Sequence, residues 1–312
     1  MIDAKKQKQM NRNTAWTKSY PLHLMILVPA FLLVLFHGGS LLGLFTAFED
    51  YVPGKGWFVF GSEFVGFDNF KRIFDNPDIW NVIGNTIIIS LLKIVFGTIF
   101  PIVVAILLNE VHLKLFKKSV QTIIFIPYFI SWVILGGIFS RLLSPDGGTL
   151  PSILNSIGIK CPNFIGDPAW FRTYVVITAI WKGAGYTTII HLASITTINP
   201  SLYEAASMDG ANKVQQCFKV TIPGMMPSIL LMFVLNMGTI LSAGFDQIYV
   251  LYSIPVYKTG DILDTFIYRI AMEGATDYGL STAVGLLKSI ISFAFVLISY
   301  KIADKKFGYK VL

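Results

Sequence analysis

The chain has 312 residues, 54% of them hydrophobic and 14% charged, with a mean hydropathy of +0.64. An ordinary soluble domain carries about 25% charged residues, so this composition excludes that class and leaves a polytopic membrane domain. The net charge of +7 raises nucleic-acid binding, but its distribution argues against it. The basic residues gather at the two ends and in one loop, as topology signals do.

Residues 1–21 form a basic tail, with Lys5, Lys6, Lys8, Arg12 and Lys18 against Asp3. Six apolar stretches follow, at 22–48, 82–108, 119–143, 170–194, 222–243 and 280–302. Each is long enough for a helix to cross about 30 Å of hydrocarbon, which takes about 20 residues. The first is longer than the about 7–15-residue apolar region of a cleaved signal peptide, and no small-residue cleavage site follows it.

The loop at 49–81 is rich in aromatics: Phe58, Phe60, Phe64, Phe67, Phe70, Phe74 and Trp80. Phe67, Phe70 and Phe74 have helical spacing, which predicts a short helix over 67–80, lying on the outer membrane surface. Packing against the neighbouring spans and contact with a ligand are both open to it. After the second span, Lys114, Lys117 and Lys118 face one acid, Glu110. The loop at 144–169 contains Ser-Pro-Asp-Gly-Gly and other turn formers, and is predicted to be irregular. The loop at 244–279 is predicted to hold a short helix over 261–273, from the spacing of Ile262, Phe266, Arg269 and Ile270. Residues 303–312 close the chain, with Lys305, Lys306 and Lys310, preceded by Lys301, against Asp304. Basic and acidic loops alternate, so six spans place both termini in the cytoplasm.

The polar stretch between the fourth and fifth spans differs from its surroundings. Asn199 is a good N-cap, Pro200 suits the first helical position, and Gly210 tolerates the left-handed conformation that ends helices. A short helix therefore runs from 200 to Gly210. A second follows with Val214, Cys217 and Phe218 on one face, and Pro223 opens the next span. Ala205, Ala206 and Ser207 let a partner backbone approach closely, while Glu204 and Asp209 add charge for a basic cleft. An interfacial lipid anchor would instead be rich in Lys and Arg with bulky apolar residues opposite. Residues 199–210 have neither, so protein docking is the better reading.

Inside the spans, Lys93, Lys182 and Lys288 are costly charges that must reach protein, water or an interface. Snorkelling fits Lys93 and Lys288, each nearer its outer end. Lys182 is close to midspan, Tyr186 lies one helical turn on, and Trp181 is adjacent. A lysine at midspan beside aromatic rings fits a cavity lining, so these three are cavity candidates, with snorkelling as the alternative. Asn236 fits either a cavity wall or an interhelical hydrogen bond. Tyr128 and Trp132, one turn apart in the third span, read as packing. Cys161 and Cys217 fall on opposite sides of the membrane, and with His23, His37, His112 and His191 they show no metal-ligand spacing. No metal site and no catalytic residue are expected.

Glu-Ala-Ala at 204–206, Asp209-Gly210-Ala211 and Phe-Lys-Val-Thr-Ile-Pro at 218–223 closely resemble the EAA loop of membrane subunits of binding-protein-dependent ABC importers. The likeness covers nearly the whole chain. Residues 67–86, 107–118, 121–136, 166–172 and 244–269 look like the maltose-type sugar permeases. IPYFISW, LLSPDGG, GDPAWFR and FDQIYVLY are similar to a branch common in Gram-positive bacteria, associated with oligosaccharides from complex polysaccharides such as pectic fragments. The chain departs from relatives at His37-Gly38-Gly39-Ser40, where a bulkier segment is frequent, and at Gly183, where an acid is frequent.

The resemblance implies an all-α polytopic membrane protein of type I importer permease fold, with a six-span permease domain at 22–302 and a cytoplasmic coupling loop at 195–221. It implies a bacterial cell membrane location and an assembly with a second permease subunit, two cytoplasmic ATPase subunits and an extracellular solute-binding lipoprotein. Glu204, Ala205, Ala206, Asp209 and Gly210 would contact an ATPase subunit. ATP and magnesium would be held there, not by this chain, which has no GxxxxGK[ST] phosphate loop. A membrane-embedded glycan enzyme would need paired acids or a nucleophile and base at one depth, which the spans lack. A stand-alone secondary transporter would be expected to show a repeat, and none is apparent.

Overall fold

A computed structural model describes residues 20–55, 61–273 and 276–307. The basic residues of the N-terminal tail, Lys310 and the loop aromatics Phe58 and Phe60 lie outside the described residues. The described chain is built of helices, with one two-residue hairpin pairing Glu49–Asp50 (β1) with Glu63–Phe64 (β2), in the register Glu49 to Phe64.

Among the described residues five helices are long and apolar enough to cross a membrane: α1 (Tyr20–Phe48), α3 (Ile79–Glu110), α7 (Pro168–Thr196), α9 (Lys213–Gly238) and the last helix, which runs on from Tyr278. Between α1 and α3, α2 (Asp68–Asp75) packs at the end of the bundle. Its buried Asn69 donates to the carbonyls of Ala47 and Glu49, which makes the short helix a packed cap rather than a surface float. Asn76-Pro77 separates it from α3, so the helix expected over 67–80 is two elements.

The third span is not the continuous helix expected at 119–143. It is two helices, α4 (Lys114–Phe129) and α5 (Trp132–Leu143), bent by 103°. Pro127 lacks an amide proton near the end of α4, and the Ser131 side chain caps α5 by accepting from the Ile134 amide. The loop expected to be irregular holds α6 (Thr149–Ser156), bounded by extended Gly148 and by Gly158 at φ +77°. Only a glycine takes that left-handed turn without strain.

The fifth span also differs from expectation. Helix α9 begins at Lys213 and runs to Gly238 without a break at Pro223. A π-helical turn at Cys217–Thr221 precedes the proline. The wider turn accommodates the missing donor and the ring. The face predicted from Val214, Cys217 and Phe218 is not the inward one: Val214 and Phe218 are exposed and Gln216 is buried.

Helices α3 and α7 form the central pair, and α4 packs on α7. At Gly185 the backbones touch: an added Cβ would come within 2.7 Å of Phe125 Cα and into the Ile124 carbonyl. Small residues permit such approach between apolar helices. Most residues of α1 are exposed and apolar, and it joins the bundle through Thr46 and Ala47 near its end. An apolar surface of this kind suits hydrocarbon, where nothing is gained by hiding it from water.

At the end of the bundle away from the 199–212 loop, buried polar groups lock the connections. Asp261 is buried and accepts two bonds from Arg269, at 3.1 and 2.6 Å, across the helix α12 (Leu263–Met272). The short helices α10 (Phe245–Leu251) and α11 (Tyr257–Gly260) precede it. Asn85 of α3 donates to the Asp261 carbonyl at 3.0 Å and accepts from Arg172 of α7 at 2.6 Å. Burial works against the Arg269 charge, but the hydrogen bonds and charge of Asp261 outweigh it and hold its pKa above the ordinary value. The helix predicted over 261–273 is present as α12, and its polar residues close the bundle.

Candidate functional site

The polar loop folds as its residue types require. Asn199 accepts from the Ser201 amide at 3.0 Å, Pro200 takes the first position of α8 (Pro200–Met208), and Gly210 turns the chain at φ +76°. The Asp209 and Ala211 amides donate back to Ala205 and Ala206, at 3.0 and 2.9 Å, closing the helix end. Asn212 and Gln215 then make a reciprocal capping box, both bonds 2.9 Å, that starts α9.

Gln216 and Tyr203 stiffen the angle between α8 and α9, and Lys213 ties α9 to α3. The Gln216 amide donates to the Ser207 hydroxyl and to the Ala211 carbonyl, at 2.9 and 3.1 Å. The Tyr203 hydroxyl meets that of Thr221 at 3.0 Å. Lys213 pairs with Glu110, at the end of α3, at 3.4 Å. Sequence reasoning missed Gln216, Tyr203 and Thr221, because their partners are set by the fold of the turn and not by spacing. Glu204, Ala205, Asp209 and Gly210 are exposed, and Ala206 is half-buried. Among the described residues neither Glu204 nor Asp209 forms an ion pair. The loop is thus a rigid projection that offers small side chains and two unengaged carboxylates.

The second feature is a cavity of about 540 Å³ between α3, α7, α9 and α10, whose wall includes Lys93, Thr187, Asn236, Thr239 and Asp246. Helix α7 contributes one stripe, Ala179, Gly183 and Thr187, at successive i, i+4 positions. That stripe explains the fate of the expected pathway residues. Asn236 lines the cavity. Lys182, Tyr186 and Trp181 lie outside its wall, rotated away from the stripe on the same helix. Trp181 instead borders an apolar hollow beside Phe100 and Ile123.

Lys182 has a local role. Its ammonium donates to the Tyr128 carbonyl at 2.8 Å and lies 5.4 Å from the Tyr128 ring centre and 5.6 Å from that of Trp132. The bend after Phe129 removes the amide that would bond Tyr128 in a continuous helix, and Lys182 supplies a donor. Tyr186 stacks on Tyr128 at 4.8 Å with planes 9° apart. Tyr128 and Trp132 are therefore brought together across a break and around a lysine, not by one helical turn.

Lys93 and Lys288 do not snorkel. Lys288 pairs with Asp264 of α12. Lys93 donates to the Ala243 carbonyl and to Gln247 Oε1, both at 2.6 Å.

Residues 97–309 match the family described as binding-protein-dependent transport system inner membrane component. The chain is 36% identical over 304 residues, 97% of this chain and 94% of the relative, to the polygalacturonan/rhamnogalacturonan transport system permease protein YteP of Bacillus subtilis. It is 35% identical to the protein LplB of the same organism, over 90% of this chain and 88% of that one. Among solved structures it is similar to a chain in the crystal structure of a bacterial alginate ABC transporter bound to an alginate pentasaccharide-bound periplasmic protein. The TM-score is 0.85 at 34% identity, covering 94% of this chain and 96% of that one.

Proposed function

This chain belongs to the family of inner membrane components of binding-protein-dependent transport systems, and we propose how it works as the permease subunit of an ABC sugar importer in the cell membrane. It receives an oligosaccharide from an extracellular binding protein and passes it inward between itself and a second permease. Two of the proteins named above are described by polygalacturonan and rhamnogalacturonan and by alginate, all acidic polysaccharides. An acidic oligosaccharide is accordingly the solute class we assign to this chain.

The observation that carries the mechanism is the rigid loop around Gly210. Two separate cytoplasmic ATPase subunits would hold ATP and magnesium, and one would grip Glu204, Ala205, Ala206, Asp209 and Gly210 in a basic cleft. A shift of that helix would be transmitted through the Gln216 and Tyr203 contacts to α9, which lines the cavity. Both termini would be cytoplasmic, on the same side as this loop. Within the permease domain at 22–302, Asn236 would line the pathway, and Lys182, Tyr186 and Trp181 would face its part completed by the second permease.

The test is ATP hydrolysis by the reconstituted four-subunit transporter core, with and without binding protein loaded with trigalacturonate. Sugar-loaded binding protein should stimulate hydrolysis and drive uptake. A complex that assembles with the ATPase subunits yet shows neither response would overturn the oligosaccharide reading.

A further inference from the structure

Lys93 reaches the cavity wall with no acidic partner among the described residues. An ammonium has three N–H donors. Two are used, on the Ala243 carbonyl and Gln247 Oε1, and both acceptors are neutral. Among the described residues Lys93 is in no ion pair, whereas Lys288 is matched by Asp264. Asp264 is on the same wall but engaged by Lys288, and Asp246 is exposed and makes no ion pair with Lys93. A charge within the apolar zone is expensive without an opposite charge. Gly244 leaves the space this ammonium occupies, since a Cβ there would lie 2.8 Å from Nζ.

The remaining donor, the charge and the volume describe a site for a hydroxyl-rich anion. Thr187, Asn236, Thr239 and Ser242 share the wall with it. One cation beside amide and hydroxyl groups, with Asp264 engaged by Lys288 and Asp246 on the exposed part of the wall, suits a single carboxylate on a sugar ring, whereas a phosphate would call for more positive charge. We infer that Lys93 selects for acidic sugars by pairing with a uronate carboxylate inside the cavity. This rests on the oligosaccharide reading above. Lys93 lies on α3, far along the chain from the α7 and α9 positions singled out in the sequence.

The experiment measures uptake by the reconstituted importer of trigalacturonate and of its methyl ester, which keeps the rings but not the charges. The ratio of the two is compared between wild type, Lys93→Met and Lys93→Arg. A hydrogen bond to a charged group is worth about ten- to hundredfold in affinity. Lys93→Met should lower the acidic-to-ester ratio by about that factor, and Lys93→Arg should restore most of it. An unchanged ratio overturns the inference, including the case in which both uptakes fall together because Lys93 merely holds the turn at Ala243. If wild type takes up neither sugar while its ATPase subunits are assembled, the oligosaccharide reading itself fails, which is a distinguishable result.

Discussion

The Gln216 side-chain amide donates to the Ser207 hydroxyl at 2.9 Å across the turn at Gly210, joining α8 to α9. Gln216 is buried, and its second bond goes to the Ala211 carbonyl at 3.1 Å. The turn is therefore braced by a side chain and not left to the backbone alone.

Gln216→Leu should keep the volume but remove both bonds. Each bond is worth about 0.5–1.5 kcal/mol, too little to unfold the bundle and enough to loosen the angle between α8 and α9. Insertion and subunit assembly should persist, while sugar-stimulated ATP hydrolysis drops several-fold. Gln216→Glu should not restore the response, because an ionised carboxylate has no proton to donate to the Ala211 carbonyl. Full stimulation in the Leu variant counts against the brace as a transmitter.

Gly210→Val should be more harmful. At φ +76° a β-branched residue is strained by about 1–2 kcal/mol or more, and nothing nearby would clash with the new side chain. The effect is thus one of backbone direction, re-aiming α9 relative to α8. Ala205→Trp tests the same contact sterically, since Ala205 is exposed and its substitution leaves this chain's packing intact. Both should uncouple hydrolysis from the sugar-loaded binding protein. Normal stimulation and uptake in both variants would remove the loop as the coupling element.

Arg269→Met should destabilise the opposite end of the bundle. It leaves the Asp261 carboxylate, 4% exposed, without its charge partner, a change that costs about 3–5 kcal/mol. The double variant Asp261→Asn, Arg269→Met should recover part of the loss, because no unpaired charge remains. Thermal unfolding in detergent checks both. A double variant no more stable than the single one would show that the charge is not the cause.

Topology is checked by labelling. With residues 5–12 cytoplasmic, a cysteine at Lys8 should resist a membrane-impermeant thiol reagent in intact cells and react after permeabilisation. A cysteine at Lys160, in the loop between α6 and α7, should react in intact cells. Reversal of the two patterns refutes the orientation.

Much of this architecture was legible in the chain itself. Apolar length and charge distribution marked the spans, because hydrocarbon thickness and backbone hydrogen bonding allow few alternatives. Asn199, Pro200 and Gly210 defined the short helix, because capping, a fixed φ and a left-handed turn are local demands met by particular residue types. The chain alone did not disclose the bend at Phe129–Trp132, the continuity of α9 through Pro223, or which lysine faces the cavity. A proline is compatible with a start, a kink or a π turn, and neighbouring helices decide among them. Lys93, Lys182 and Lys288 look alike in the sequence. Only the packing of α3, α4, α10 and α12 around them gave one a carboxylate, one a broken helix end and one an open cavity, because a buried charge takes its role from the groups that surround it.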